Sequence, residues 1–276
     1  MLQVVQYQKS GEVRTEDMPS PLCPDNGVLV EVHNSLISAG TEKTSVDNGQ
    51  GSLLARAKKQ PDQVKVVLDA VKSYGLKETV RRVGAKLNSF KLLGYSAAGV
   101  VVESRCDEFK PGDRVAAAGA GIANHAEIIA VPKNLVVKIA DNVSFEDAAY
   151  TTVGAIAMQG FRQAEPSLGE NVVVVGLGLL GLITVQSLKA AGCNVIGMDI
   201  DDKAMEQGLK FGCDSVMKSS SENVQQVLAR CNGEGADSTI ITASTSSSAP
   251  VQMAMEMTRK KGKVVIVGAI GMDMKR

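Results

Sequence analysis

The sequence predicts an α/β chain in two parts: a β-rich first half and a doubly wound parallel sheet in the second. Three observations carry this reading. Valine-rich runs punctuated by turn residues occupy the first half; apolar strands alternate with helical stretches after about residue 150; and a glycine-rich turn follows the first of those later strands. At 276 residues the chain suits two domains, placed here at 1–147 and 148–276. Aromatic residues make up only 3% of the chain, so Val, Ile, Leu, Ala and Met must build the cores. Basic and acidic residues balance at 30 each, which argues against nucleic acid or an anionic membrane as partner. The longest apolar run, 172–185, is too short to span a bilayer and holds three glycines, Gly176, Gly178 and Gly181. The N-terminal residues lack the charged region of a secretory signal. Five cysteines, an odd number with no C-x-x-C pair, read as reduced thiols in a cytoplasmic protein.

In the first half, residues 28–32, 99–103 and 126–131 are strand candidates, separated by turns such as Lys110-Pro111-Gly112-Asp113. Residues 52–87 break the pattern. Apolar residues recur there at helical spacing among many lysines and arginines, predicting two or three amphipathic helices with a solvated basic face over covered apolar positions. In the second half, residues 171–175 form a strand apolar on both faces, as buried parallel strands are. A helix follows over 180–191 and stops at Gly192. Further strands are predicted over 194–198, 215–217, 238–241 and 264–267, with helices over 203–211 and 251–258.

Gly176-Leu177-Gly178-Leu179-Leu180-Gly181 links the first of these strands to its helix. In that context the glycines predict a dinucleotide cradle on a Rossmann-type sheet. Gly176 permits the turn, Gly178 leaves room for a pyrophosphate, and Gly181 lets helix and strand pack closely. The N–H groups at Leu179, Leu180 and Gly181 open the helix, where its dipole favours phosphate. Asp199 ends the second strand, placed to accept hydrogen bonds from ribose hydroxyls and to repel a 2′-phosphate, so NAD(H) is expected over NADP(H). A strand-terminal Asp that merely caps the next helix is the plainer alternative.

Gly94-Tyr95-Ser96-Ala97-Ala98-Gly99, followed by Lys110-Pro111-Gly112-Asp113-Arg114-Val115, resembles the GroES-like catalytic domain of the medium-chain dehydrogenase/reductase superfamily. Ala39-Gly40-Thr41-Glu42 resembles that family's cysteine-glycine-threonine-aspartate segment. The resemblance implies a zinc-independent oxidoreductase that moves a hydride to or from a carbonyl or alcohol, the substrate being a small molecule such as a sugar derivative. Ala39, Tyr95, Ser96 and Val153 stand where zinc-dependent members carry metal ligands, and the four-cysteine lobe of a structural zinc is missing. No metal site is therefore expected. Thr41 matches a proton-relay position, and Tyr95 replaces a ligand. Both become candidate donors to the substrate oxygen, or else Tyr95 only fills the space. Gly268, in the loop after the last strand, is carried over as a further cofactor contact.

The resemblance narrows to the N-terminal half of bacterial two-part proteins whose second half is glucose–fructose-oxidoreductase-like. It implies a covalent C-terminal domain, a Rossmann sheet lacking its last strand, a truncated first domain and homo-oligomers. An NADPH-dependent quinone or enoyl reductase, and a non-catalytic dinucleotide-binding module, stand as alternatives. His125 is read as structural rather than as an acid or base, and His33 as an edge residue without a role. Cys106 and Cys231 sit beside Arg105 and Arg230 and are read as surface thiols.

Overall fold

The computed structural model describes residues 1–40, 42, 46 and 61–272. The chain divides into two compact units, Met1–Thr152 and Val153–Arg276.

In the first unit β1 (Leu2–Tyr7) and β2 (Val13–Asp17) form an antiparallel pair. Next comes β3 (Gly27–Ser35), then two helices, α1 (Pro61–Tyr74) and α2 (Leu76–Leu87). Pro61 suits a first helical position, where its missing N–H costs nothing. Gly75, at φ 78°, breaks the run between the helices. The rest of the predicted insertion, 52–60, lies outside the described residues. One expectation for the insertion holds only in part: Val64, Val67, Leu68 and Val80 are exposed rather than covered, while Val71, Val83 and Leu87 are half-buried. Among the described residues these helices pack chiefly on each other, and one helix cannot cover both faces of its neighbour.

After the helices, β4 (Phe90–Leu92) joins the other side of β1. The strands β5 (Ser96–Ser104), β6 (Arg114–Ala118), β7 (Ile128–Pro132) and β8 (Val136–Lys138) complete a five-stranded antiparallel sheet with β3, in the order β7-β3-β5-β6-β8. Its buried face carries Val28, Val30, Val101, Val115, Ile129 and Val131. These occupy alternate positions within their strands, as burial of one face requires. His33, expected at an edge position, is exposed. It lies in interior strand β3, beyond the register with β7, and stacks on Phe145 at 4.4 Å. Phe145 belongs to α3 (Phe145–Ala148), a single turn capped by Ser144, whose Oγ accepts from Asp147 N.

Helix α4 (Thr151–Ala164) carries the chain past the division into the second unit. There β9 (Asn171–Val175), α5 (Leu179–Ala190), β10 (Asn194–Asp199), α6 (Asp202–Lys210), β11 (Ser215–Lys218), α7 (Val224–Arg230), β12 (Ala236–Ile241), α8 (Ala249–Met257) and β13 (Thr258–Ile266) alternate as predicted. All pairs are parallel, in the order β11-β10-β9-β12-β13. This is a doubly wound sheet whose order reverses beside β9. Val172 to Val175 are fully buried, which is why β9 reads as an unbroken apolar run.

The last strand departs most from expectation. Pairing starts at Thr258, where a helix was predicted, but slips between Ala236 and Ser238 on the partner. The charged stretch after Thr258 bulges out, with Lys261 at φ 65° and the Arg259 Nε donating to Asp237 Oδ1 at 2.7 Å. Regular apolar pairing resumes only at Val264.

Candidate functional site

The carboxyl ends of β9, β10, β11 and β12 enclose a cleft of about 550 Å³, lined among others by Gly176, Asp199, Ile200, Ser219–Ser221, Ser244, Gln252 and Glu256. That volume falls in the range of small-molecule sites, and the reversal of strand order is where doubly wound sheets bind ligands. Its charged lining residues are Asp199 and Glu256, both acidic.

Gly176 sits at φ 100°, and a Cβ there would come within 2.5 Å of Ala243 N, so the turn tolerates no side chain. Gly181 lies against the start of the same turn: a Cβ would reach 1.9 Å from Gly176 O. Thr242 seals this contact by donating its hydroxyl to Gly176 O at 2.6 Å. Gly178 differs, since a Cβ there would meet nothing within 4 Å. It is the N-cap of α5, with no side chain capping it. Helix geometry leaves the N–H groups of Leu179, Leu180 and Gly181 without partners inside the helix. Open space above uncapped N–H groups is what a pyrophosphate needs.

Asp199 ends β10 beside this turn. Its Oδ2 accepts from Leu177 N at 2.6 Å and its Oδ1 from Asp201 N at 3.0 Å. The carboxylate thus holds the glycine-rich turn in place. Capping of α6 falls instead to Asp201, whose side chain accepts from Lys203 N. Gly268 packs on the end of β12, where a Cβ would come within 2.0 Å of Ala243 O. The structure brings Gly176, Leu177 and Asp199 together. It adds Ser219–Ser221, Gln252 and Glu256, which sequence reasoning missed although residues just past parallel strands are where such clefts draw their lining.

The catalytic candidates belong to the first unit. Thr41 lies outside the described residues. Tyr95 is half-buried between Gly94 and β5, and among the described residues its hydroxyl has no hydrogen-bond partner. The positions that the resemblance links to a catalytic zinc do not fit that ion. Ala39 offers a methyl group and Val153 a buried isopropyl group. Ser96 is buried and already donates its hydroxyl to Ala149 O at 2.6 Å. A catalytic zinc takes three protein N, S or O ligands, and this set offers one free phenol. Among the described residues no cluster of three or more His, Cys, Asp or Glu side chains forms a metal site.

One sequence reading is corrected here, and another gains detail. Cys231 is not a surface thiol but is buried beneath α7, and burial pushes its pKa up. His125, read only as a structural residue leading into a strand, holds two specific partners: Nδ1 lies 2.8 Å from Ser35 Oγ and Nε2 3.0 Å from Glu42 Oε2.

Residues 180–275 match the family described as zinc-binding dehydrogenase. The chain is 35% identical over 150 residues to an alcohol dehydrogenase of Geobacillus stearothermophilus, covering 52% of this chain and 42% of that one. It is 27% identical over 214 residues to human sorbitol dehydrogenase, covering 66% and 60%. The chain thus spans less than two thirds of the length of these curated relatives. Among solved structures, galactitol-1-phosphate dehydrogenase from Escherichia coli superposes with a TM-score of 0.75 at 19% identity, covering 100% of this chain and 78% of that one. Alcohol dehydrogenase TADH from Thermus sp. ATN1 gives 0.76 at 20%, covering 99% and 79%. These likenesses establish the fold, a GroES-like domain followed by a Rossmann-type sheet.

Proposed function

We propose that this chain is a metal-independent oxidoreductase of the medium-chain zinc-type dehydrogenase/reductase superfamily that uses NAD(H) on an alcohol or carbonyl, with polyols and sugar derivatives as the substrate class. The observation that carries the cofactor half is Asp199, standing at the end of β10 and bonded to Leu177 N beside a glycine turn. Bound there, the dinucleotide would supply the hydride-accepting or hydride-donating ring.

The chain's own residues bind and orient it. The α5 N–H groups face the pyrophosphate, Gly178 leaves it room, and Asp199 accepts from the ribose hydroxyls. The acidic lining of Asp199 and Glu256 disfavours a 2′-phosphate. This counts against the NADPH-dependent reductase reading, although a quinone oxidoreductase and an enoyl reductase share the fold. For the substrate oxygen, Tyr95 and Thr41 are the proposed hydroxyl donors, serving where a metal would otherwise stabilise developing charge. The polyol class is suggested by the sorbitol and galactitol-1-phosphate dehydrogenases among the similar proteins.

Calorimetric titration with NADH and NADPH, paired with turnover assays on sorbitol, simple secondary alcohols and quinones, tests this. NADH binding at least tenfold tighter, about 1.4 kcal/mol, is expected. No heat with either nucleotide, or tighter NADPH binding, overturns the cofactor assignment. Turnover abolished by chelation and restored by zinc overturns the metal-independent chemistry.

A further inference from the structure

His125 ties Glu42 to the turn at Leu93 and Gly94. Its backbone N–H donates to Leu93 O at 2.9 Å, and Gly94 lies so close that a Cβ there would come within 2.7 Å of His125 N and 3.0 Å of Nδ1. Gly94, at φ 93°, leads directly into Tyr95. On its other side the imidazole meets the carboxylate of Glu42, the residue after Thr41. Glu42 in turn accepts from Ser38 N at 3.0 Å through its second oxygen and donates its own N–H to Ser38 O at 2.8 Å. Ser38 and Glu42 are thereby held to each other and, through Glu42, to His125. The pair is well shielded, with side-chain exposures of 11% for His125 and 13% for Glu42.

Both ring nitrogens are engaged, Nδ1 by Ser35 Oγ and Nε2 by Glu42. Neither leaves a buried polar atom unmatched, which fixes the orientation of the ring. In a zinc-dependent relative a metal would join the positions of Ala39 and Tyr95. Here the first position offers only a methyl group and the second a phenol, and the imidazole–carboxylate pair links Glu42 to the turn before Tyr95.

We infer that His125, acting through Glu42, is a positioning residue that holds Ser38 and Glu42 against the turn at Leu93 and Gly94 that leads into Tyr95. The inference rests on the reading of Thr41 and Tyr95 as donors, but the clamp itself has a readout that needs no turnover.

The experiment compares His125→Leu, His125→Gln, Glu42→Ala and Glu42→Gln with wild type. Hydrogen exchange of a peptide covering 36–46, read by mass spectrometry, is expected to quicken at least tenfold in His125→Leu and Glu42→Ala. Their combination should be no faster than either alone. Glu42→Gln keeps an oxygen to accept from Ser38 N and an amide that donates to the unprotonated Nε2 of neutral His125, and should stay within threefold of wild type. With the alcohol turned over in the cofactor assay, kcat should fall at least tenfold in His125→Leu while the KM and Kd for NADH hold within twofold, and Glu42→Gln should restore most of it. Unchanged exchange in 36–46 overturns the clamp whether or not any substrate is found. A fall in kcat matched by an equal rise in KM for NADH overturns the positioning role. If His125→Leu fails to fold, His125→Gln and Glu42→Ala decide on the same criteria. Loss of NADH binding in the wild type would instead defeat the dehydrogenase reading and leave the exchange result standing.

Discussion

At the scale of single residues, Asp199 has two duties that separate by mutation. It accepts from the turn at Leu177 N and is proposed to accept from ribose. Replacing it with Ala removes both, so NADH binding should weaken by about 2–3 kcal/mol, the upper range for hydrogen bonds to a charged group. The melting temperature should fall as well, because Leu177 N loses its acceptor. Asp199→Asn keeps one acceptor for Leu177 N, so it should lose affinity while holding most of its stability. Titration calorimetry beside thermal melting distinguishes the two, and an Asp199→Ala protein with unchanged affinity would remove Asp199 from the site. The glycines and this acid were legible in the sequence because their spacing answers to geometry within one strand, turn and helix. The His125–Glu42 pair was not, since its partners lie 83 residues apart and only the folded sheet brings them together.

At the scale of elements, Lys189 near the end of α5 is joined to Asp214 before β11, with its Nζ 2.9 and 2.8 Å from the two carboxylate oxygens. Asp214 Oδ2 also accepts from Val195 N in β10 at 2.7 Å, so one carboxylate binds a helix and two strand starts. Burial pushes the Asp214 carboxyl up, but the Lys189 ammonium and the Val195 N–H outweigh it, and it titrates below the usual range. A carboxyl depressed in the folded chain contributes stability above its unfolded pKa and loses it as pH falls through the folded one. Asp214→Asn should therefore cost about 1 kcal/mol at neutral pH, the upper end for a solvent-screened pair. The difference in melting temperature should close in acid; a gap that persists unchanged to low pH would mean that the charge is not what matters. Strands such as β9 and β10 were readable because they are buried on both faces. The bulged start of β13 was not, because its Arg and Lys residues follow an ion pair rather than an apolar period.

For the whole molecule, both units protect their interiors enough to be read through thiols. Cys23, Cys193, Cys213 and Cys231 are buried and Cys106 is only half-buried. Burial pushes all four buried thiols up, with Cys213 pushed up to about 11. A maleimide or disulfide reagent at pH 8 should label Cys106 first, and the rest only in denaturant, since the thiolate is the reactive form. Rapid native labelling of Cys213 or Cys231 would show that the parallel-sheet unit opens far more readily than its packing implies. The second unit was more legible than the first for a related reason. Its strands alternate with helices and bury both faces, whereas β4 and β8 hold three residues each and β2 is largely exposed, too little apolar pattern for a sequence to signal.

The carboxylate at the end of β10 has a further consequence in its lone pairs. A carboxylate offers about four acceptor positions, and backbone N–H groups occupy one on each oxygen. Two directions remain, matching the two adjacent hydroxyls of a furanose. Because the chain itself supplies the first two bonds, the loop's shape is fixed by its own backbone N–H groups, and a nucleotide arriving there meets a mould that is already set.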